Sequence, residues 1–256
     1  MADPKTRAQL AGGMTATDSW IRKHRLIYTD ATRHPLVLSI RDGTVDLNAF
    51  RTWVEQECEF LRSFTAFVAS VLVKAWKESD DRADEEVILG SLASLNDEFA
   101  WFKKEALKRD IDLTKIVPQN ATAGYSRYVS SSASNFLERE YPVNVRFRFL
   151  ESLMRPEMEY TVAITALWAI EAVYHESFAY CMEDGSKTPL ELREACERWG
   201  NEGFGNYCNT LKKIVDRRLE MAAGEISKKT EVALLRVLEC EVAFWNMSRD
   251  GPRQTI

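Results

Sequence analysis

From Asp46 to Ser79 the chain runs through "LNAFRTWVEQECEFLRSFTAFVASVLVKAWKES" without a glycine or a proline. Nothing in that stretch breaks a helix. Leu47, Phe50, Val54, Leu61, Phe64 and Val68 recur three, four or seven positions apart, the spacing that gathers apolar side chains on one helical face. Asp46 supplies the N-cap. A helix this long is central to any fold that contains it. The rest of the chain agrees, with only 11 Gly and 7 Pro in 256 residues and long runs of helix formers. The expected class is all-α, with no strand alternation worth naming.

Other segments fit that class. "DSWIRKHRLIYTDAT", from Asp18 to about Thr32, is amphipathic and is closed by His34-Pro35, since the residue before a proline disfavours the α region. The acidic run "DDRADEE" turns the chain into a further helix up to about Arg109, carrying Val87, Leu92, Leu95, Phe99 and Phe102. "DIDLTKIVPQ" reads as a loop. Residues 161–183 form a hydrophobic helix ended by "EDGSKTP", where Gly185 gives a stop and Pro189 a new start. Two helices follow, over roughly 190–222 and 226–248. Six to eight helices with short connections make a bundle.

Charge and cysteine content narrow the function. A net charge of −5 lacks the electrostatic footprint of a nucleic-acid binder. No apolar run reaches the ~18 residues of a membrane span, and "MADPKTRAQLAGGM" lacks the apolar core of a signal peptide. Residues 1–13 are expected to be a disordered tail, 14–251 a single domain and 252–256 a C-terminal tail. The five cysteines are scattered, without C-x-x-C spacing, so neither a disulfide framework nor a zinc site is indicated. A reducing, cytoplasmic setting follows.

Three helices carry a carboxylate among bulky apolar residues: Glu57 in "WVEQECEFL", Glu171 in "WAIEAVYHESF" and Glu241 in "LECEVAFWNMS". A helical glutamate usually faces solvent or joins a structural ion pair. Glu171 resists that reading, because apolar residues flank it over two turns. A buried carboxyl pairs, shifts its pKa or serves a site; three on three helices converge on a pocket. Tyr174 lies three residues after Glu171 and shares its face, where a hydroxyl can orient a substrate amine or be an ordinary core tyrosine. His175 and Glu176 read as structural. No residue three before His24, His34 or His175 is a glutamate, so the di-iron pattern of carboxylate bundles is absent. Nucleotide-binding loops, Gly-x-Ser-x-Gly and H-E-x-x-H are absent as well.

Five stretches in order, "ATRHPLVLSIRDGTVDLNAFRTWVEQECEFL", "ASLNDEFAWFKKE", "WAIEAVYHESF", "CMEDGSKTPLELREACERWGNEGF" and "LECEVAFWNMSRDG", resemble the TenA (thiaminase II) family. More narrowly they resemble its plant-type branch without the active-site cysteine, written TenA_E. The resemblance implies a haem-oxygenase-like helical bundle without haem, assembled as a homodimer or homotetramer. It also implies hydrolysis of 4-amino-5-aminomethyl-2-methylpyrimidine to the hydroxymethylpyrimidine in thiamin salvage, and removal of a formyl group from the N-formyl form. No cofactor or metal is implied, and the partner is a small aminopyrimidine.

Carried over position by position, the family's "QDYxYL" appears as "QECEFL", with Glu57 at the Asp position and Phe60 at an aromatic pocket position. Its late glutamate matches Glu241, followed by an aromatic pair that includes Trp245. Where the cysteine branch has "PCxxxY", this chain reads "AIEAVY", with Tyr174 at the tyrosine, Ile170 at the thiol position and Glu171 beside it. The family's "aYtRFL" is split into "GYSR", holding Tyr125, and "RFLESLM", with an apparent insertion at 128–147 between them. The resemblance therefore implies substrate contacts from Glu57, Phe60, Tyr125, Tyr174 and Trp245, and acid/base work by Glu241, Glu171 and Glu57. Two alternatives stay open: a pyrimidine-binding protein without chemistry, and a cofactor-dependent oxidoreductase of the same fold class.

Overall fold

In the computed structural model, which describes residues 14–119, 121–122 and 148–250, the glycine-free run is one helix, Leu47–Glu78. Asp46 caps it, its carboxylate accepting from the Asn48 N–H at 2.9 Å, which satisfies one donor that a helix start leaves open. In chain order the described helices are α1 (Ala16–Lys23), α2 (Arg25–Thr32), α3 (Pro35–Asp42), α4 (Leu47–Glu78), α5 (Arg82–Lys108), α6 (Arg148–Met154), α7 (Tyr160–Tyr180), α8 (Leu190–Gly200), α9 (Glu202–Met221) and α10 (Gly224–Asp250). No strand occurs among the described residues. Tyr125, the stretch 128–147 and both tails lie outside them.

Helix α7 is the axis. Every residue from Tyr160 to Ile170 is buried and none in the helix is exposed, as a helix apolar on all sides must be. It packs against α10, α9 and α8, while α4 packs against α5 and α10. Four of these helices meet in one aromatic cluster. Trp53 of α4 lies 5.7 Å, centroid to centroid, from Phe102 of α5, Phe178 of α7 and Trp199 of α8. Ring pairs at such distances add about 0.5–1.5 kcal/mol each beyond area burial, so the cluster ties together the walls of the site described below.

Three boundaries differ from the sequence reading. The segment Asp18–Thr32 is two helices meeting at His24, whose Nε2 sits 2.6 Å from a Glu231 oxygen on α10; the contact partner is distant in sequence, so periodicity gave no sign of the break. His34-Pro35 begins a helix as well as following one. Pro35 occupies the first turn of α3, where its missing N–H costs nothing, and His34 Nδ1 accepts from the Leu36 N–H at 3.2 Å. The span 190–222 is divided at Asn201, whose side chain accepts from the Phe204 N–H at 2.9 Å and caps α9. Gly200 there lies against α7: a Cβ would come within 2.7 Å of the Ala179 nitrogen and the Phe178 carbonyl carbon. No described helix is long and apolar enough to cross a membrane.

Candidate active site

Helical spacing builds one wall of a cleft from α4, where Glu57, Phe60, Leu61 and Phe64 fall at positions i, i+3, i+4 and i+7. Helix α5 adds Glu98 and Phe102, α7 adds Ile170, Glu171 and Tyr174, and α8 adds Trp199. Across the cleft the Tyr174 hydroxyl donates to Glu57 Oε1. Behind Tyr174, Trp245 of α10 stacks at 5.7 Å and 28°, and its indole N–H donates to the Ala31 carbonyl at 3.0 Å. Phe60 stacks on Phe64 at 5.5 Å and meets Phe244 edge-on at 5.9 Å. The open space between the described walls is about 20 Å³, little more than one water molecule needs.

Carboxyls crowd this small volume. Glu57 and Glu241 are 3% and 1% exposed. Burial, then the Glu241 charge, then the Glu98 charge push the Glu57 carboxyl well above the usual carboxylate range. Glu171 is half-buried, and burial followed by the charges of Glu98 and Glu241 raises it strongly too, against the Tyr207 hydroxyl, which donates to Glu171 Oε1 at 3.2 Å. Glu98 is raised by burial to about 7, held down from higher values by the Arg198 charge and the Trp199 indole. Neutral carboxyls can donate as well as accept, so near neutral pH this cluster offers both kinds of hydrogen bond in a site largely cut off from water.

Of the residues singled out in the sequence, Glu57, Phe60, Glu171 and Tyr174 line the cleft together. Glu241 stands close enough to act on two of them electrostatically. Trp245 is a backing ring behind Tyr174, not one of the described lining residues. Ile170, which the resemblance matches to the thiol position of the cysteine branch, lines the cleft with a hydrocarbon. Cys58 neighbours Glu57 along α4, but burial and the Glu57 charge push its thiol up to about 12, which keeps it protonated and unreactive near pH 7. His175 Nδ1 lies 3.0 Å from the Trp199 carbonyl, and Glu176 accepts from Tyr28 at 2.6 Å; both join α7 to its neighbours. Among the described residues, no group of three or more His, Cys, Asp or Glu is arranged to hold a metal ion.

Two polar residues of the site escaped the sequence reading. Glu98 sits in "LNDEF", where neighbouring acids suggest a solvated face. Its register carried the signal: it lies three residues after Leu95 and four before Phe102, both buried. Tyr207 lies three after Phe204 and four before buried Leu211, and accepts from Ser91 Oγ at 2.7 Å.

Fold and cleft define a helical bundle with an internal cleft walled by carboxyls and aromatic rings. The chain belongs to the TENA/THI-4/PQQC family, whose model matches residues 21–136 and 143–251. It is 56% identical over 233 residues to a "Probable bifunctional TENA-E protein" of Glycine max, covering 91% of this chain and 93% of that one. Among solved structures, it is similar to a TenA homologue from Pyrococcus furiosus, with a TM-score of 0.74 at 18% identity over 91% of this chain and 98% of the other. A TenA homologue from P. horikoshii gives 0.71 at 19% identity, covering 93% and 100%. At such identities the structural likeness shows the fold.

Proposed function

We propose that this protein hydrolyses carbon–nitrogen bonds of aminopyrimidines in thiamin salvage. It removes the formyl group from N-formyl-4-amino-5-aminomethyl-2-methylpyrimidine and converts the free aminomethylpyrimidine to 4-amino-5-hydroxymethyl-2-methylpyrimidine. The observation that carries the reading is the convergence of Glu57, Glu171 and Tyr174 on one aromatic cleft, in a chain 56% identical to a relative named "bifunctional TENA-E". A pyrimidine with an amino group beside a ring nitrogen needs one acceptor and one donor side by side, and a carboxyl whose proton is retained by burial supplies both.

In this reading Glu57 and Glu241 bind that edge of the ring. Phe60, Tyr174 and Tyr125 wall it in, with Trp245 behind. A carboxyl, Glu171 or Glu241, takes a proton from water at the formyl carbon and returns one to the departing nitrogen. No thiol takes part. The protein works in the cytoplasm as a homodimer or homotetramer, with 14–251 as one domain and 128–147 as an insertion within it. The test is turnover of both pyrimidines by the wild-type chain and by Glu171→Gln and Glu241→Gln. Loss of turnover in both variants, with binding retained in Glu171→Gln, supports the reading, whereas tight wild-type binding without product makes this a binding protein.

A further inference from the structure

Glu98 projects from α5 into the same cleft as Glu171 and Glu57, and no role given above uses it. Its surroundings are unlike those of its two neighbours. From α8 the Arg198 guanidinium and the Trp199 indole both favour its ionised form. Arg198 is itself held in place over the Trp101 and Trp199 rings, 5.9 and 5.8 Å from their centroids. Glu171, on α7, faces the Glu98 and Glu241 carboxyls and the Tyr207 hydroxyl of α9. Glu57, on α4, faces Glu241, Glu98, Tyr174 and the Trp53 indole.

Resting on the hydrolytic reading above but dividing its acid/base work differently, we propose that Glu98, in place of Glu171 or Glu241, is the proton-accepting carboxylate of the site and that Glu171 is its acid, the two acting as a dyad across the cleft. Arg198 lies on the Glu98 side and the Glu241 carboxyl acts on the Glu171 side, so one proton shared between them resides on Glu171. Glu98 titrates at about 7 while Glu171 is raised strongly, and environments that separate two carboxyls in this way assign base and acid. In deformylation the water oxygen bonds to the formyl carbon and its proton passes to Glu98. The carbon–nitrogen bond then breaks as the nitrogen takes the Glu171 proton, leaving amine and formic acid, which ionises. Transfer of the proton from Glu98 back to Glu171 resets the pair. Tyr207, donating to one Glu171 oxygen, leaves the other to carry the proton toward the substrate.

The test compares the wild type, Glu98→Gln and Glu171→Gln on N-formyl-4-amino-5-aminomethyl-2-methylpyrimidine and on the formate ester of the hydroxymethylpyrimidine, across pH. In the wild type, kcat/KM on the formamide climbs with pH through about 7. Glu98→Gln, which preserves size and an acceptor for Trp199, is expected to lose roughly 10²–10⁴-fold in kcat and to flatten that climb. Glu171→Gln keeps the climb, and its loss shrinks by about tenfold or more on the ester, whose alcohol leaves with less need of a proton. Glu98→Asp regains part of the activity together with the pH climb, which a purely structural residue does not require. A Glu98→Gln enzyme with the wild-type pH profile, or an equal loss for both variants on both substrates, overturns the dyad while leaving the hydrolase intact. A wild type that turns over neither pyrimidine overturns both.

Discussion

Tyr174 on α7 donates its hydroxyl to Glu57 on α4, joining two helices across the cleft at residues more than a hundred positions apart in sequence. The bond gives a carboxyl that is only 3% exposed a fixed orientation. Tyr174→Phe removes the donor and little else. The expected cost is about 1–3 kcal/mol of stability, the penalty for a buried polar group left short of a partner, read as a shift of the urea midpoint. Because Glu57 then loses its aim, kcat/KM for the aminopyrimidine is expected to fall by about tenfold or more. An unchanged midpoint and unchanged turnover together would mean that the bond orients nothing of consequence.

Glu57 and Glu171 have different tasks in the proposed reaction, and kinetics separates them. With its amide oxygen held by the Tyr174 hydroxyl, Glu57→Gln turns only NH2 donors toward the pyrimidine edge where the carboxyl can both donate and accept, and is expected to raise KM by about tenfold, on the order of 1.4 kcal/mol of binding. Glu171→Gln lowers kcat by roughly 10²-fold or more with KM little changed. Steady-state assays and equilibrium binding of the hydroxymethylpyrimidine product decide the matter. The reverse pattern would exchange the two roles.

The carboxyl cluster also makes stability depend on pH in a definite direction. Glu98 moves from 4.5 in the unfolded chain to about 7 in the fold, so between those values the folded state binds the extra proton. Its contribution is fully present below about pH 4.5 and is lost as pH rises through about 7, at a slope of at most about 1.4 kcal/mol per pH unit. Glu57 and Glu171, raised in the same direction, extend the decline to higher pH. Denaturant midpoints are therefore expected to fall from pH 5 to pH 7, and Glu98→Gln to flatten the slope and stabilise the protein at neutral pH. A midpoint that rises over this interval would contradict the burial of these groups as neutral acids.

Gly200 and Gly90 provide a matched pair of substitutions. An alanine at 200 forces its Cβ to within 2.7 Å of α7 backbone atoms, which cannot retreat like a flexible side chain. Gly200→Ala is expected to cost about 1–3 kcal/mol and, by displacing neighbouring Trp199, to reduce turnover. At Gly90, inside α5, a Cβ meets nothing within 4 Å, so Gly90→Ala is expected to gain about 0.5–1 kcal/mol through helix propensity alone. Thermal melts of the two variants test both signs.

What the sequence revealed and what it hid follow one physical rule. Glu171 was visible because its own turn of helix is apolar on both sides, so the anomaly is local. Asp46 was visible as a cap for the same reason: its partner, the Asn48 N–H, is two residues away. Glu98 was hidden because the groups that make it unusual, Trp199 and Arg198, arrive from α8 about a hundred positions later. The breaks at His24 and Asn201 were hidden likewise, since the surfaces that favour them, Glu231 on α10 and the α7 backbone beside Gly200, come from elsewhere in the chain. Periodicity reports which face of a helix is inward, and only the assembled bundle reports what that face meets.

The cleft between these walls encloses about 20 Å³, whereas sites that swallow a small organic ligand run to roughly 300–1,000 Å³. A pyrimidine ring needs more room than the described walls leave, so its binding is expected to move side chains that line the cleft. Recognition is then governed by a clock as much as by a lock. The observed affinity equals the intrinsic one scaled by the fraction of time the walls stand apart, and the arrival rate levels off at the opening rate however concentrated the ligand. Two pyrimidines that differ in fit will then arrive at the same limiting rate and be told apart by how long each stays.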